Sequence, residues 1–116
     1  MKYVVSIILL VFHLSASPAW SNDYHEGTDA YLNGNYSTAL SILKPLAEDG
    51  HAEAQQLMGE MYRWGDGVEK NVTRALQWYK KAAQQGNRMA QETLGVYYDK
   101  RANRSLAFYW LTEASN

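Results

Sequence analysis

The stretch Ala54-x-x-x-Met58-Gly59-x-x-Tyr62-x-x-Gly65-x-Gly67-Val68-x-x-Asn71-x-x-x-Ala75-x-x-Trp78-Tyr79-x-x-Ala82-Ala83-x-x-Gly86-x-x-x-Ala90 carries two apolar stripes at helical spacing with a glycine turn between them. Ala54, Met58 and Tyr62, with Leu57 and Met61 beside them, recur at three and four residues, which sets one stripe along one side of a helix. Gly59 lies inside that helix, where glycine costs roughly 1 kcal/mol relative to alanine. The position therefore calls for a second helix close enough to need the missing side chain. Ala75, Trp78, Tyr79, Ala82 and Ala83 form the facing stripe over residues 72–85, and Gly86 is a left-handed stop. Gly65-Asp66-Gly67 turns the chain between the two helices.

The pattern repeats outward. Ala54, Met58, Gly59 and Tyr62 reappear as Ala90, Leu94, Gly95 and Tyr98, each 36 residues on, and Ala39 and Gly50 precede Ala75 and Gly86 by the same step. A fixed period of this length marks repeated supersecondary units. Upstream, residues 23–33 read as a first helix with Gly27 in the place of Gly59. Asn33-Gly34-Asn35 is a tight turn, and 36–48 a second helix that Pro45 is expected to bend near residues 42–45. The central pair covers 51–63 and 72–85, and residues 88–99 and 104–114 form the last two helices. Tyr62 to Ala75 spans 13 residues but Tyr98 to Ala107 only nine, so the third hairpin has a shorter turn without Gly-x-Gly.

Asn35, Asn71 and Asn103 each open an Asn-x-Ser/Thr-x-Ala sequence. As a motif this is a glycosylation acceptor. All three asparagines also stand at the start of the second helix of a hairpin, where the side-chain oxygen accepts an orphan backbone N–H, and the shared position favours capping.

The Ala, Leu/Met-Gly, Tyr, Gly-x-Gly-Val, Trp-Tyr and Ala-Ala positions of residues 54–90 resemble the Sel1-like repeat, a relative of the tetratricopeptide repeat. The resemblance implies an all-α fold: an α-solenoid of three antiparallel helix hairpins, wound as a right-handed superhelix, at about residues 22–50, 51–86 and 87–116. The first hairpin lacks the Gly-x-Gly insertion and is closer to a plain tetratricopeptide unit. The implied function is binding of another protein in a scaffolding, regulatory or inhibitory role. Small exported relatives serve as immunity proteins that neutralise toxic effectors. Some cysteine-rich relatives bind or hydrolyse β-lactams, which keeps a cell-envelope enzyme as the rival from another class, although this chain has none of their cysteines.

Residues 1–21 read as a secretory signal peptide. Lys2 precedes an apolar run over residues 3–14, too short to span a bilayer comfortably, and Ser17-Pro18-Ala19 or Ala19-Trp20-Ser21 offers small residues at cleavage spacing. The expected product is a periplasmic or secreted chain cleaved near Ala19 or Ser21, with no stable membrane insertion afterwards. His13, Ser15 and Ser17 interrupt the run and disfavour an uncleaved anchor. The remaining repeat domain, 22–116, is about 95 residues, enough to bury roughly 60 to 65% of its unfolded surface. Without a cysteine it depends on helix packing alone, and thiol catalysis and cysteine zinc sites are excluded.

Charge is unevenly spread. Residues 23–60 hold seven acids against one base, Lys44, a net −6; residues 61–116 hold nine bases against five acids, a net +4. Such asymmetry is either chance composition over a solvated surface or a steering field for a partner or a second copy. The overall formal charge of −1 gives no support to nucleic-acid binding. No catalytic or metal residues and no cofactor are expected. His25 and His51 lie in different hairpins without the spacing that puts two ligands on one helical face.

What remains is surface. In a stack of such hairpins the first helix of each pair lines a concave groove, through positions three before and one, four and five after the helix glycine. That assigns Tyr24, Thr28, Tyr31 and Leu32 from the first hairpin, Gln56, Glu60, Arg63 and Trp64 from the second, and Glu92, Val96, Asp99 and Lys100 from the third, unless Trp64 covers the Gly-x-Gly turn and the tyrosines pack between hairpins. A second candidate surface is the last helix, apolar on every side through Phe108, Tyr109 and Trp110; because arrays normally end in a polar cap, this edge either docks on a partner or a second copy, or is buried by rotation of the shortened last hairpin.

Overall fold

The computed structural model describes residues 20–100 and 103–116, and every regular element among them is an α-helix. Helix α1 covers residues 20–32 of those described. It is followed by α2 (Tyr36–Glu48), α3 (Ala52–Trp64), α4 (Val72–Gln84), α5 (Arg88–Lys100) and α6 (Arg104–Ser115). The expected boundaries of α2 to α6 hold to within one residue, and α2 runs through Pro45 as one helix. Residues 1–19, where most of the leader is read, lie outside the described residues.

The caps explain where the helices begin. Asn71 accepts the Arg74 N–H at 3.0 Å and Asn103 accepts the Leu106 N–H at 3.4 Å, as the shared motif requires. Asn35 makes no such bond. Its backbone (φ −81°, ψ 67°) sits far from the extended geometry of Asn71 (φ −151°, ψ 99°), and Asn103, at φ −91° and ψ 72°, caps only at long range. Two further caps start the first helices of hairpins two and three: His51 Nδ1 accepts the Ala54 N–H at 3.2 Å and Asn87 Oδ1 accepts the Ala90 N–H at 2.9 Å.

Packing follows the repeat. The most extensive contacts are α3 on α4 and α5 on α6, with smaller ones of α2 on α3 and α4 on α5. One core cluster gathers Ala39, Leu43 and Leu46 of α2 with Ala54, Met58 and Met61 of α3. The other gathers Ala75, Tyr79 and Ala82 of α4 with Ala90 and Leu94 of α5 and Trp110 of α6. Tyr62 packs against both clusters and joins them.

Each helix glycine faces a fixed partner. A Cβ on Gly27 would lie 2.7 Å from Leu43, on Gly59 2.6 Å from the Tyr79 ring, and on Gly95 2.6 Å from Leu111. Leu43, Tyr79 and Leu111 therefore occupy one repeat position, and the glycines admit them. The shortened third turn preserves the register as well. The Asn71 N–H donates to the Tyr62 carbonyl at 2.8 Å, and the Asn103 N–H donates to the equivalent Tyr98 carbonyl at 2.9 Å.

Between hairpins the stack is held by a polar link that recurs at the same period. Buried Gln55 donates to the Ala47 carbonyl at 3.0 Å, and buried Gln91 donates to the Ala83 carbonyl at 3.1 Å. Gln85 reaches back to donate to Gln55 Oε1 at 2.8 Å. Each glutamine adds a second donor to a carbonyl near the C-terminal end of the preceding helix, which otherwise accepts only the N–H of Gly50 or Gly86.

Candidate functional site

The second hairpin's turn docks on the first. Gly65 and Gly67 are left-handed (φ 75° and 74°), and a Cβ on Gly67 would stand 2.8 Å from Tyr36. The Tyr31 hydroxyl donates to Asp66 Oδ2 at 3.0 Å, and its ring packs on Tyr36. Burial, reinforced by the hydrogen bond to the Asp66 carboxylate and its charge, pushes the Tyr31 hydroxyl up to about 12. At the other end of α1, Tyr24 stacks on the His51 ring with centroids 4.8 Å apart, and Trp20 meets the same ring edge-on. Thr28 is half-buried and donates to its own helix at the Tyr24 carbonyl.

These contacts correct part of the expected groove. Tyr24 and Tyr31 are fasteners between the first two hairpins, with their polar or ring faces already engaged. Gln56 is also misplaced by the sequence: it is buried, only 6% exposed. A wheel centred on Ala54 accounts for one neighbouring helix, whereas a helix within a stack is covered from two directions. Leu32 and Asp99 are exposed and do not line the cleft that the other groove residues share.

Five of the expected groove residues do converge. Arg63 and Trp64 of α3 and Glu92, Val96 and Lys100 of α5 line a single cleft of about 440 Å³, to which Lys70 in the turn, α4 through Val72, Leu76 and Tyr79, and Thr93 and Tyr97 of α5 also contribute. Trp64 is 58% exposed. It is held upright by donating from Nε1 to Glu60 Oε2 at 2.9 Å, with the Arg63 guanidinium 4.8 Å over its ring. Glu60 thus supports the indole. Glu92 is tied to Arg88 at 3.0 Å, whereas Arg63, Lys70 and Lys100 form no ion pair among the described residues. The cleft is apolar-walled and rimmed by cations.

Tyr79 forms part of its wall with a hydroxyl that finds no hydrogen-bond partner. Burial first, and then the nearby Glu60 carboxylate, hold this phenol well above the ordinary tyrosine range, while Arg63 opposes them. The contribution of α4 escaped the sequence reading, which drew groove positions from first helices alone. The available signal was internal: the place filled by Leu43 and Leu111 in the other hairpins is a tyrosine here.

The last helix divides sharply. Phe108 is 74% exposed, and Leu106, Tyr109 and Leu111 are exposed beside it. Trp110, expected on the docking surface, is instead core at 7% exposure, packed in the cluster with Ala75 and Leu94. It stands at the repeat position of Trp78, which is itself half-buried against the first cluster. Among the described residues no group of three His, Asp or Glu side chains is arranged to hold a metal, and no helix is long and apolar enough to cross a membrane.

Comparison with known proteins agrees with this architecture. A solved Sel1 repeat protein from Oxalobacter formigenes superposes with a TM-score of 0.71 at 38% identity, over 76% of this chain and 38% of that one. The exopolysaccharide production negative regulator of Rhizobium meliloti (strain 1021) is 34% identical over 84 residues, 72% of this chain and 31% of the regulator. The human protein sel-1 homolog 2 is 33% identical over 75 residues, 60% of this chain and 11% of that protein. The chain thus spans less than a third of the length of these two relatives. The Sel1 repeat model matches residues 52–87 and 89–116, the second and third hairpins. With helix glycines, turn and stacking all in the places that match requires, the chain belongs to the Sel1 repeat family.

Proposed function

We propose that this chain is a non-catalytic adaptor, regulator or inhibitor that works in the bacterial periplasm by binding a protein partner in the cleft between α3 and α5. Sel1 repeat proteins are generally protein-interaction modules, and the regulator name of the rhizobial relative supports a regulatory role. The observation that carries the reading is the convergence of Arg63, Trp64, Glu92, Val96 and Lys100, from two successive hairpins, on one cleft. An exposed indole with a guanidinium over it is the kind of anchor that dominates interface energetics. The outer face of α6, with Phe108 and Tyr109 uncovered, is a second contact surface for a partner or a second copy. Export rests on the leader read in residues 1–21.

The test is site-specific cross-linking in the native host. A photoreactive side chain at Val96 is expected to capture one defined protein from the periplasmic fraction, and capture is lost when Trp64→Ala is added. Equal capture from Lys80, on α4 outside the cleft, would overturn the cleft assignment. Turnover of β-lactams or cell-wall fragments by the purified protein would overturn the non-catalytic reading. N-terminal sequencing of the exported chain checks cleavage near Ala19 or Ser21.

A further inference from the structure

Tyr79 stands at a position that the fold needs only to fill. The equivalent residues, Leu43 and Leu111, pack on Gly27 and Gly95 with no polar atom, and the Tyr79 ring does the same on Gly59. Its hydroxyl adds nothing to that packing. The side chain is 1% exposed, and its oxygen lies near Glu60 and Arg63 without a hydrogen bond of proper geometry to either, a condition that costs free energy in the empty protein. A buried polar atom without a partner, on the wall of a cleft, is the mark of a bond made to something that binds there.

The cleft's charge says what that is. Arg63, Lys70 and Lys100 are without counter-ions among the described residues, and the one lining carboxylate, Glu92, is already neutralised by Arg88. Between the cations the walls are apolar or aromatic: Trp64, Val72, Leu76 and Val96. Arg63 lies over the Trp64 ring and close to the Tyr79 hydroxyl and forms no ion pair among the described residues, so its charge is available to an entering anion.

We infer that the cleft takes an acidic segment of the partner protein, one carboxylate lodging between Arg63 and Lys100 to accept a hydrogen bond from the Tyr79 hydroxyl while a neighbouring apolar side chain lies against Trp64 and Val96. This inference rests on the cleft being the partner site and adds the chemistry by which it selects. Tyr79 is the specificity residue: in its place leucine or phenylalanine preserves the fold and loses the discrimination. Charge-assisted hydrogen bonds to a desolvated carboxylate are strong enough to impose such a preference.

The test pans a displayed library of random short peptides against the purified protein, with polyglucuronate as a soluble competitor. Selected sequences are expected to be enriched in Asp and Glu next to an aromatic or aliphatic residue. In fluorescence anisotropy their Gln/Asn counterparts bind about tenfold or more weakly, as loss of a charge-assisted bond dictates. Tyr79→Phe is expected to raise the thermal midpoint of the free protein and to weaken the acidic peptides by a similar factor. That pairing is one a purely structural tyrosine would not produce. Arg63→Gln with Lys100→Gln should weaken binding and flatten its salt dependence without moving the midpoint. Selection of sequences with no acidic bias, or Tyr79→Phe leaving affinity unchanged, overturns the inference. Polyglucuronate displacing every selected peptide at lower concentration overturns it in favour of an acidic polysaccharide. If Val96 still cross-links its protein when the acidic preference is absent, the cleft reading stands and only this inference falls.

Discussion

The Tyr31 hydroxyl donates to Asp66 Oδ2 across 3.0 Å, tying the end of the first hairpin to the Gly-x-Gly turn of the second. The bond needs the proton on the phenol. Burial and the adjacent carboxylate raise Tyr31 from 10.0 to about 12, so between those values the folded chain keeps a proton that the unfolded chain has released. Stability from this group is complete below pH 10 and falls as pH rises toward 12. Urea denaturation followed at pH 9, 10.5 and 11.5 should show the midpoint dropping in the wild type and dropping less in Tyr31→Phe. Tyr79 titrates in the same direction, and the Tyr31 variant separates the two. Equal pH slopes would show that the bond does not persist in solution.

Gln55 and Gln91 are equivalent links between hairpins. Gln55→Ala removes the buried bond to Ala47, whose carbonyl keeps only the Gly50 N–H, and takes away the acceptor of the Gln85 amide, and should cost about 1–3 kcal/mol. Gln91→Ala loses only the bond to Ala83 and should cost less. Equilibrium denaturation of the two single variants and the double variant measures both.

The three helix glycines are not equally replaceable. A Cβ on Gly59 meets the buried, rigid Tyr79 ring at 2.6 Å, and overpacking there should cost about 1–3 kcal/mol, outweighing the gain in helix propensity. On Gly95 the same carbon meets Cγ and Cδ2 of Leu111, an exposed side chain that can change rotamer to make room. Gly95→Ala is therefore expected to be close to neutral, within about 1 kcal/mol. Thermal melts of the two variants side by side decide it.

Adjacent residues on α6 should behave oppositely. Trp110→Ala empties a core position and should cost about 3–5 kcal/mol. Tyr109→Glu changes an exposed side chain and should stay within about 0.5 kcal/mol while weakening any self-association through that face. Circular dichroism melts and sedimentation velocity of both variants give the two readings. Loss of fold in Tyr109→Glu would make the aromatic face part of the core.

The amino-acid sequence alone determined the helices, their order and the spacing of the hairpins. Helix periodicity, glycine stops and the 36-residue step from Ala54 to Ala90 are written in neighbouring residues, and each hairpin closes over a short loop. It also located half of the cleft, because Arg63, Trp64 and Val96 follow from their offset to a helix glycine. Tertiary structure decided which aromatic and polar side chains remained free. Tyr31 and Tyr24 were taken up by the next hairpin, Gln56 was buried, and Trp110 packed into the cluster of α4 and α5. Tyr79 kept a hydroxyl with no partner at the cleft wall. The physical reason is that a helical wheel contains one axis and one neighbour. Burial in a stack depends on the helices before and after, and on contacts such as Tyr31 to Asp66 between residues 35 positions apart.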